Sequence, residues 1–413
     1  MLTIRLISVF KKFFNIGIFQ LSGMIMQLIT IPIITRKYGL EVFGEIAVTT
    51  SVAYFLGNLV NYGTNQTEIK HIAVSGNNKL ELSKIFSNVL WLRSVLFLTI
   101  TIITTIIIII TTSQSALLWL SILPIILTEI VNPFYFFVVF EKTHWIVWGN
   151  ITFRALSFFL ILFSSIHSNE SFILNLIIGI PLFLFNLFLS LYVIESFQLK
   201  INRPSIADLQ VKLFNNFKVT FNGNIGMLQQ SIFLFFVAGS FNASILGAYG
   251  IIDKILNVIR QITSIFSTAI YPRAAQLFHD GKSSWFIFRT SIQKLYFIAS
   301  ILVGIFLYYF ADQIVFVISN KENPMASEFI KLLSPAPLFI SLNANNVLDF
   351  LLNEQYTGMF WISIFILIAT VLISFVLTSN LISLSIGWYP FFIEASCLLI
   401  YSIAVKKYEL HAI

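Results

Sequence analysis

Charge is what this 413-residue sequence has little of: Asp, Glu, Lys and Arg together make up 10% of it. A soluble domain carries about 25% charged residues. With 57% hydrophobic residues and a mean hydropathy of +0.89, the chain cannot coat a water-facing surface. Soluble enzymes and disordered hubs are excluded. Cysteine is nearly absent as well. The single Cys397 cannot close an internal disulfide, which excludes a disulfide-stapled secreted domain, and in its apolar run the thiol behaves as a small hydrophobe. Catalytic motifs are missing too. There is no GxxxxGK[ST] to cradle ATP, and no GxSxG, HExxH or clustered carboxylate pair. His71, His144, His167, His279 and His411 are scattered without metal-ligand spacing. The net charge of +7 reads as membrane topology, not as affinity for nucleic acid.

Long apolar runs fill the space these absences leave. A membrane-crossing helix needs about 20 mostly apolar residues. Twelve windows qualify, near 13–34, 43–64, 85–110, 116–140, 146–166 and 171–194 in the first half. The second half has 219–239, 244–270, 291–311, 327–352, 357–379 and 383–405. A run such as Thr105–Thr112 does not alternate, so a β-barrel is excluded. The first run is too long for a signal-peptide core and reads as a retained helix. With the amino terminus inside, sixteen of the 25 Lys and Arg residues fall on the cytoplasmic side, Arg289 among them. Only Arg36, Lys37 and Lys321 fall outside. This bias predicts that both termini are cytoplasmic.

The two halves match each other. An offset of 203 carries Phe14, Gly23, Met24 and Gln27 onto Phe217, Gly226, Met227 and Gln230, and Gly44 onto Gly247. An offset of 213 carries Pro124, Asn132, Glu141 and Trp148 onto Pro337, Asn345, Glu354 and Trp361. Ten extra residues must therefore enter between the third and fourth helices of the second half. Six helices per repeat is an even number, so the repeats are parallel, and transporters of this kind place substrate between them. The expected fold is all-α and polytopic, with two pseudo-symmetric six-helix bundles around a central cavity. The expected divisions are a first bundle at 1–200, a linker at 201–217 and a second bundle at 218–413.

Polar residues inside the spans mark the candidate site. Ser51, Tyr54, Asn58, Asn61, Asn65 and Glu68 are spaced to share one helix face. In helix eight, the shifted positions include Lys254, Asn257 and Gln261, flanked by Asp253 and Arg260. For Asn58 and Asn61, cavity lining and interhelical hydrogen bonding are equally open. A charge at a helix centre costs about 2.5–3.5 kcal/mol. Arg93, Arg154, Lys254 and Arg260 lie too deep to snorkel freely and are the candidate substrate-binding cations, with Asn58, Asn61, Asn257 and Gln261 as polar lining. Glu45, Glu129, Asp253 and Asp349 are the candidate counter-charges and ion-coupling groups. Net positive character would attract phosphate or pyrophosphate, which arginine grips bidentately. Neutralising Lys254 or Arg260 is expected to block transport, and neutralising Arg289 to matter much less.

The segment Ile31–Gly44 has a proline near the end of helix one, then Arg36-Lys37, Gly39 and a Phe43-Gly44 pair. With Asn61-Tyr62-Gly63, Leu246-Gly247 and Tyr271-Pro272-Arg273, it resembles the polysaccharide-transport branch of the multidrug/oligosaccharidyl-lipid/polysaccharide exporter superfamily. Within that branch it is most similar to O-antigen (Wzx-type) flippases. The resemblance covers essentially the whole chain. It implies a MATE-like fold in a bacterial inner membrane. It also implies transfer of an undecaprenyl-pyrophosphate-linked oligosaccharide to the periplasmic leaflet, driven by Na+, H+ or the membrane potential, with no cofactor. An O-antigen polymerase and a chain-length regulator are the implied protein partners, beside membrane lipids. Two alternatives stand beside this reading: a drug exporter of the same superfamily, and an O-antigen polymerase or ligase. The first should have a net acidic cavity, and the second a large periplasmic loop.

Overall fold

A computed structural model describes residues 2–111, 116–140, 142–165, 170–379 and 382–408. Side chains are described from Ile29 onward, apart from positions 108, 111, 143, 218–219, 222–224, 226–227, 272, 280 and 282. The side chains of the repeat matches Phe14, Met24, Gln27 and Met227 and of the topological cations Arg5, Lys11, Lys12, Lys218 and Lys282 are therefore not described, nor are the surroundings of Gly23 and Gly226. Glu141, His167 and His411 lie outside the described residues.

Among the described residues every regular element is helical. Among the described residues, nine helical segments are long and apolar enough to cross a membrane. The chain is an all-α, multi-pass membrane protein. Its residues divide into two compact units, Met1–Thr30 with Ile46–Met227, and Ile31–Glu45 with Leu228–Ile413.

The first unit contains most of α1 (Leu2–Asn61), a helix interrupted at Gly39, where φ is 91°. Two consecutive residues with positive φ, Tyr62 and Gly63, end it. A separate short helix, α2 (Thr64–Ser75), follows. The stripe from Ser51 to Glu68 thus shares one face only as far as Asn61, because Asn65 and Glu68 belong to a new helix with its own axis. Next come α3 (Lys79–Thr111) and then three short helices where one long span was expected: α4 (Ala116–Leu120), α5 (Leu123–Ile130) and α6 (Phe134–Val139). Prolines explain this. Pro124 starts α5, and Pro133 cannot donate a helical hydrogen bond. The helices α7 (Thr143–Phe163) and α8 (Phe172–Phe197) complete the span set, and α9 (Ile206–Ser240) runs on towards the second unit. A buried aromatic and aliphatic core centred on Phe86, Tyr135, Phe136, Phe137 and Phe185 packs α2, α3, α6 and α8 together. Leu98, Ile102, Ile106 and Ile109 on α3 are exposed, as a lipid-facing flank requires.

The second unit contains α10 (Ala243–Asp280), α11 (Lys282–Tyr309), α12 (Ala311–Ser319), α13 (Pro324–Leu333), α14 (Ala336–Leu352), α15 (Tyr356–Ser379) and α16 (Tyr389–Lys407), the last preceded by a 3-10 turn over Ser383–Trp388. Asparagines start two of them. The Asn242 side chain accepts from Ile245 N at 3.0 Å, and that of Asn323 from Ala326 N at 3.0 Å, with Pro324 in the first turn. The stretch in which ten extra residues were expected contains α12. Its last turn holds the 31–45 segment: Thr35 Oγ1 donates to Ile318 O at 2.6 Å, and Arg36 donates to Val317 O. A cation on the open carbonyls of a helix end is favourable placement.

Candidate functional site

Arg93 is the most buried charged group described, with no exposed surface. A guanidinium has five N–H donors, and all five are used within the first unit. Nε and Nη2 donate to Thr64 Oγ1 at 2.9 and 2.7 Å, and Nη2 also donates to Asn65 Oδ1 at 2.9 Å. Nη1 donates to the carbonyls of Glu129 and Asn132, each at 2.7 Å. In an unbroken helix the Glu129 carbonyl would accept from residue 133, but Pro133 has no N–H, and Arg93 supplies the missing donor. The ring of Tyr135 lies 5.6 Å from the guanidinium. Glu129 Oε2 accepts from Asn61 Nδ2 at 2.7 Å and from Asn132 Nδ2 at 3.2 Å. Arg93 thus binds the break after α1 to the break between α5 and α6, and fixes Glu129 beside them. Arg93 is a cation with no donor to spare.

Arg154 is different. It sits mid-way along α7, half-buried, and only its Nε is engaged, donating to Asn150 Oδ1 one turn back at 2.6 Å. Its other four N–H groups meet no acceptor among the described residues. Elsewhere in the unit, Glu68 is buried and receives Lys212 Nζ at 2.5 Å, which ties the start of α9 to α2.

In the second unit α10 carries the candidate charges. Asp253 Oδ2 accepts from Gln230 Nε2 at 2.6 Å and from Asn257 Nδ2 at 3.4 Å, and Lys254 Nζ lies 3.8 Å from it. Asp253 and Lys254 are both buried, whereas Gln261 is exposed. Arg260 does not pair with Asp253. It pairs with Glu394 of α16, through Nε at 2.7 Å and Nη2 at 2.5 Å, both on Oε1. The Arg260 side chain is 25% exposed and the Glu394 side chain 8%. Its remaining three N–H groups have no acceptor among the described residues.

Asp349 receives Trp285 Nε1 at 3.0 Å and Arg289 Nε at 2.9 Å, and Arg289 Nη2 donates to Asn346 Oδ1 at 3.2 Å. Arg289, counted among the topological cations, is one half of a buried ion pair, 14% exposed against 1% for Asp349. Glu45 and Asn58 are half-buried.

Sequence reasoning passed over Glu394, Gln230 and Asn150. For Glu394 a signal existed, since it is the lone acid of an apolar run and merits the same scrutiny as a lone cation. Among the described residues, no group of three or more His, Cys, Asp or Glu could hold a metal ion. The arrangement provides two arginines and a lysine with unused donors, each beside an amide or a carboxylate. Such groups can grip phosphate oxygens, with amides left over for hydroxyls.

Comparison with known proteins agrees with this architecture. The family model described as polysaccharide biosynthesis protein matches residues 9–278. A protein of Escherichia coli (strain K12) named as an O-antigen transporter is 24% identical over 366 residues, 85% of each chain. A multidrug resistance MATE family transporter of the MOP superfamily, solved in an inward-facing conformation, superposes with a TM-score of 0.76 at 13% identity, covering 96% of this chain and 98% of that one. The lipid II flippase MurJ superposes with a TM-score of 0.67 at 12% identity, covering 94% and 87%. These likenesses establish the fold.

Proposed function

The chain belongs to the polysaccharide biosynthesis protein family, and on that premise we propose that it is a flippase for a polyprenyl-pyrophosphate-linked oligosaccharide. The cargo is an undecaprenyl-pyrophosphate-linked O-antigen or similar repeat unit, carried from the cytoplasmic to the periplasmic leaflet of a bacterial inner membrane. Both termini are cytoplasmic, as the distribution of Lys and Arg supports. The reading makes the chain a transporter, not an enzyme. The observation that carries it is the set of unused N–H donors on Arg154 and Arg260, with the Lys254 ammonium on the same helix as Arg260. Cations within apolar spans that keep unused donors can take an anion, and a pyrophosphate on a lipid is such an anion. Asn257 and Gln261 stand beside these cations on α10 as partners for sugar hydroxyls, and Asn58 and Asn61 offer the same chemistry in the first unit.

The sequence has no GxxxxGK[ST] motif, and the driving force in this reading is an ion gradient or the membrane potential. Glu45, Glu129, Asp253 and Asp349 are the candidate coupling carboxylates. A polymerase and a chain-length regulator that act on the delivered unit are the proposed downstream partners.

The lipid extract of a deletion strain tests the reading. Accumulation of an intact undecaprenyl-linked repeat unit facing the cytoplasm supports it and names the glycan. An unchanged lipid pool together with new sensitivity to cationic drugs would replace it with drug export.

A further inference from the structure

Two interior arginines with carboxyl neighbours, Arg93 and Arg260, are held in opposite ways. Arg93 spends all five N–H groups on protein oxygens, and its surroundings leave no edge open. Arg260 is gripped from one side only, because Nε and Nη2 converge on a single oxygen of Glu394. Both hydrogens of Nη1 and one of Nη2 stay unspent, on the side chain with the greater exposure of the pair. That open edge is the one a phosphate would take bidentately.

We propose that Glu394 is a positioning residue that presents the open edge of Arg260 to the cargo phosphate and tunes how readily that phosphate leaves. The inference rests on the lipid-pyrophosphate reading above.

The physical argument concerns release more than capture. A carrier must let go, and a lone arginine in an apolar span would hold a pyrophosphate too well, since the departing anion leaves a bare buried charge. Glu394 removes that obstacle. It sits at ion-pair distance from Arg260, so the arginine returns to a neutral pair when the phosphate departs. Its negative charge also weakens the field that the phosphate feels, because both are attracted to the same guanidinium. Glu394 is suited to this role as the lone acid of α16, fixed on a helix and nearly sealed from exposure.

The test uses the full chain in nanodiscs, with undecaprenyl pyrophosphate as the probe and undecaprenol as the uncharged comparison. Glu394→Gln keeps a side-chain oxygen for Nε and removes the charge. It should bind undecaprenyl pyrophosphate roughly tenfold more tightly than the parent chain, as expected for losing a nearby like charge. Its turnover at saturating cargo should fall. Its thermal midpoint without ligand should drop, and the rise on adding the pyrophosphate lipid should exceed that of the parent. A purely structural role predicts lower stability with weaker binding. Equal or weaker binding by Glu394→Gln overturns the proposal, as does unchanged binding in Arg260→Gln. If Glu394→Gln cannot be recovered folded, Glu394→Asp should shift affinity the same way by a smaller factor, and an unchanged affinity there overturns the proposal equally. A parent chain that binds undecaprenol as well as undecaprenyl pyrophosphate would instead defeat the functional reading beneath it.

Discussion

Gly44 and Gly247, counterparts under the sequence offset of 203, pack directly against each other. A Cβ on Gly44 would lie 2.7 Å from the Gly247 nitrogen, and one on Gly247 would lie 2.0 Å from the carbonyl oxygen of Leu40. Two helix segments that open equivalent spans thus meet at backbone distance. Neither glycine has positive φ. What each position requires is the absence of a side chain. Small residues at such crossings let helices in apolar surroundings approach closely.

Gly247→Ala should therefore cost about 1–3 kcal/mol of stability, the range for forcing a methyl into filled space. The comparison is Gly239→Ala, where an added Cβ meets nothing within 4 Å. Thermal unfolding of the detergent-solubilised protein should show a clear loss for the first and no loss for the second.

Arg93 is expected to behave as a keystone. Arg93→Ala orphans the Glu129 and Asn132 carbonyls and a Thr64 hydroxyl, each buried group costing about 1–3 kcal/mol. Membrane-inserted yield should collapse. Arg93→Lys should not restore it, because three donors on one nitrogen cannot span contacts served by three. Yield by fluorescence-detected size exclusion measures both.

Much of this was legible in the sequence. Hydropathy revealed the all-helical, multi-pass class because lipid imposes length and apolarity residue by residue, although the twelve expected windows compare with nine candidate spans among the described residues. Hydrogen bonds to backbone were not legible. The partners of Arg93 include two carbonyls freed by a helix break, and carbonyls carry no residue identity, although Pro133 marked where one would be orphaned. Tertiary ion pairs were the other blind spot. Glu394 lies 134 positions from Arg260, and Asp349 lies 60 from Arg289. No local spacing rule connects residues so far apart in sequence. The polar stripe beyond Asn61 failed for a third reason, since a residue with positive φ ends a helix whatever the periodicity of its neighbours.

Arg289→Gln should lower the amount of folded protein, because it takes the guanidinium away from the buried Asp349 carboxylate. Breaking such a pair costs about 3–5 kcal/mol, and replacing both partners with apolar residues often restores it. Arg289→Met with Asp349→Leu should therefore recover more folded protein than Arg289→Gln alone, as judged by immunoblot of purified membranes.

Lys212→Ala removes the donor on Glu68 and leaves both carboxylate oxygens of a buried acid without a partner. A second change, Glu68→Leu, should offset much of that loss. A double-mutant cycle on thermal stability should report a coupling of about 0.5–3 kcal/mol, the range for contacting residues.

Arg154→Gln should keep folded yield within a factor of about two while lowering export roughly tenfold or more, the worth of one charge-assisted contact to phosphate; Lys254→Gln and Arg260→Gln, which also break ion pairs with Asp253 and Glu394, should lower export by more than they lower yield. Complementation of a deletion strain, normalised to protein level, separates this outcome from unfolding.

The most direct measurement is leaflet-resolved flipping. Purified protein would be reconstituted into liposomes with an undecaprenyl-pyrophosphate-linked oligosaccharide, and the fraction accessible to an external glycosidase followed in time under an imposed gradient or potential. The account predicts rapid transfer by the parent chain, loss of transfer with Arg154→Gln and Arg260→Gln, and no transfer of an undecaprenol-linked sugar lacking the pyrophosphate. Equal transfer of both lipids, or full activity in both arginine variants, would contradict it.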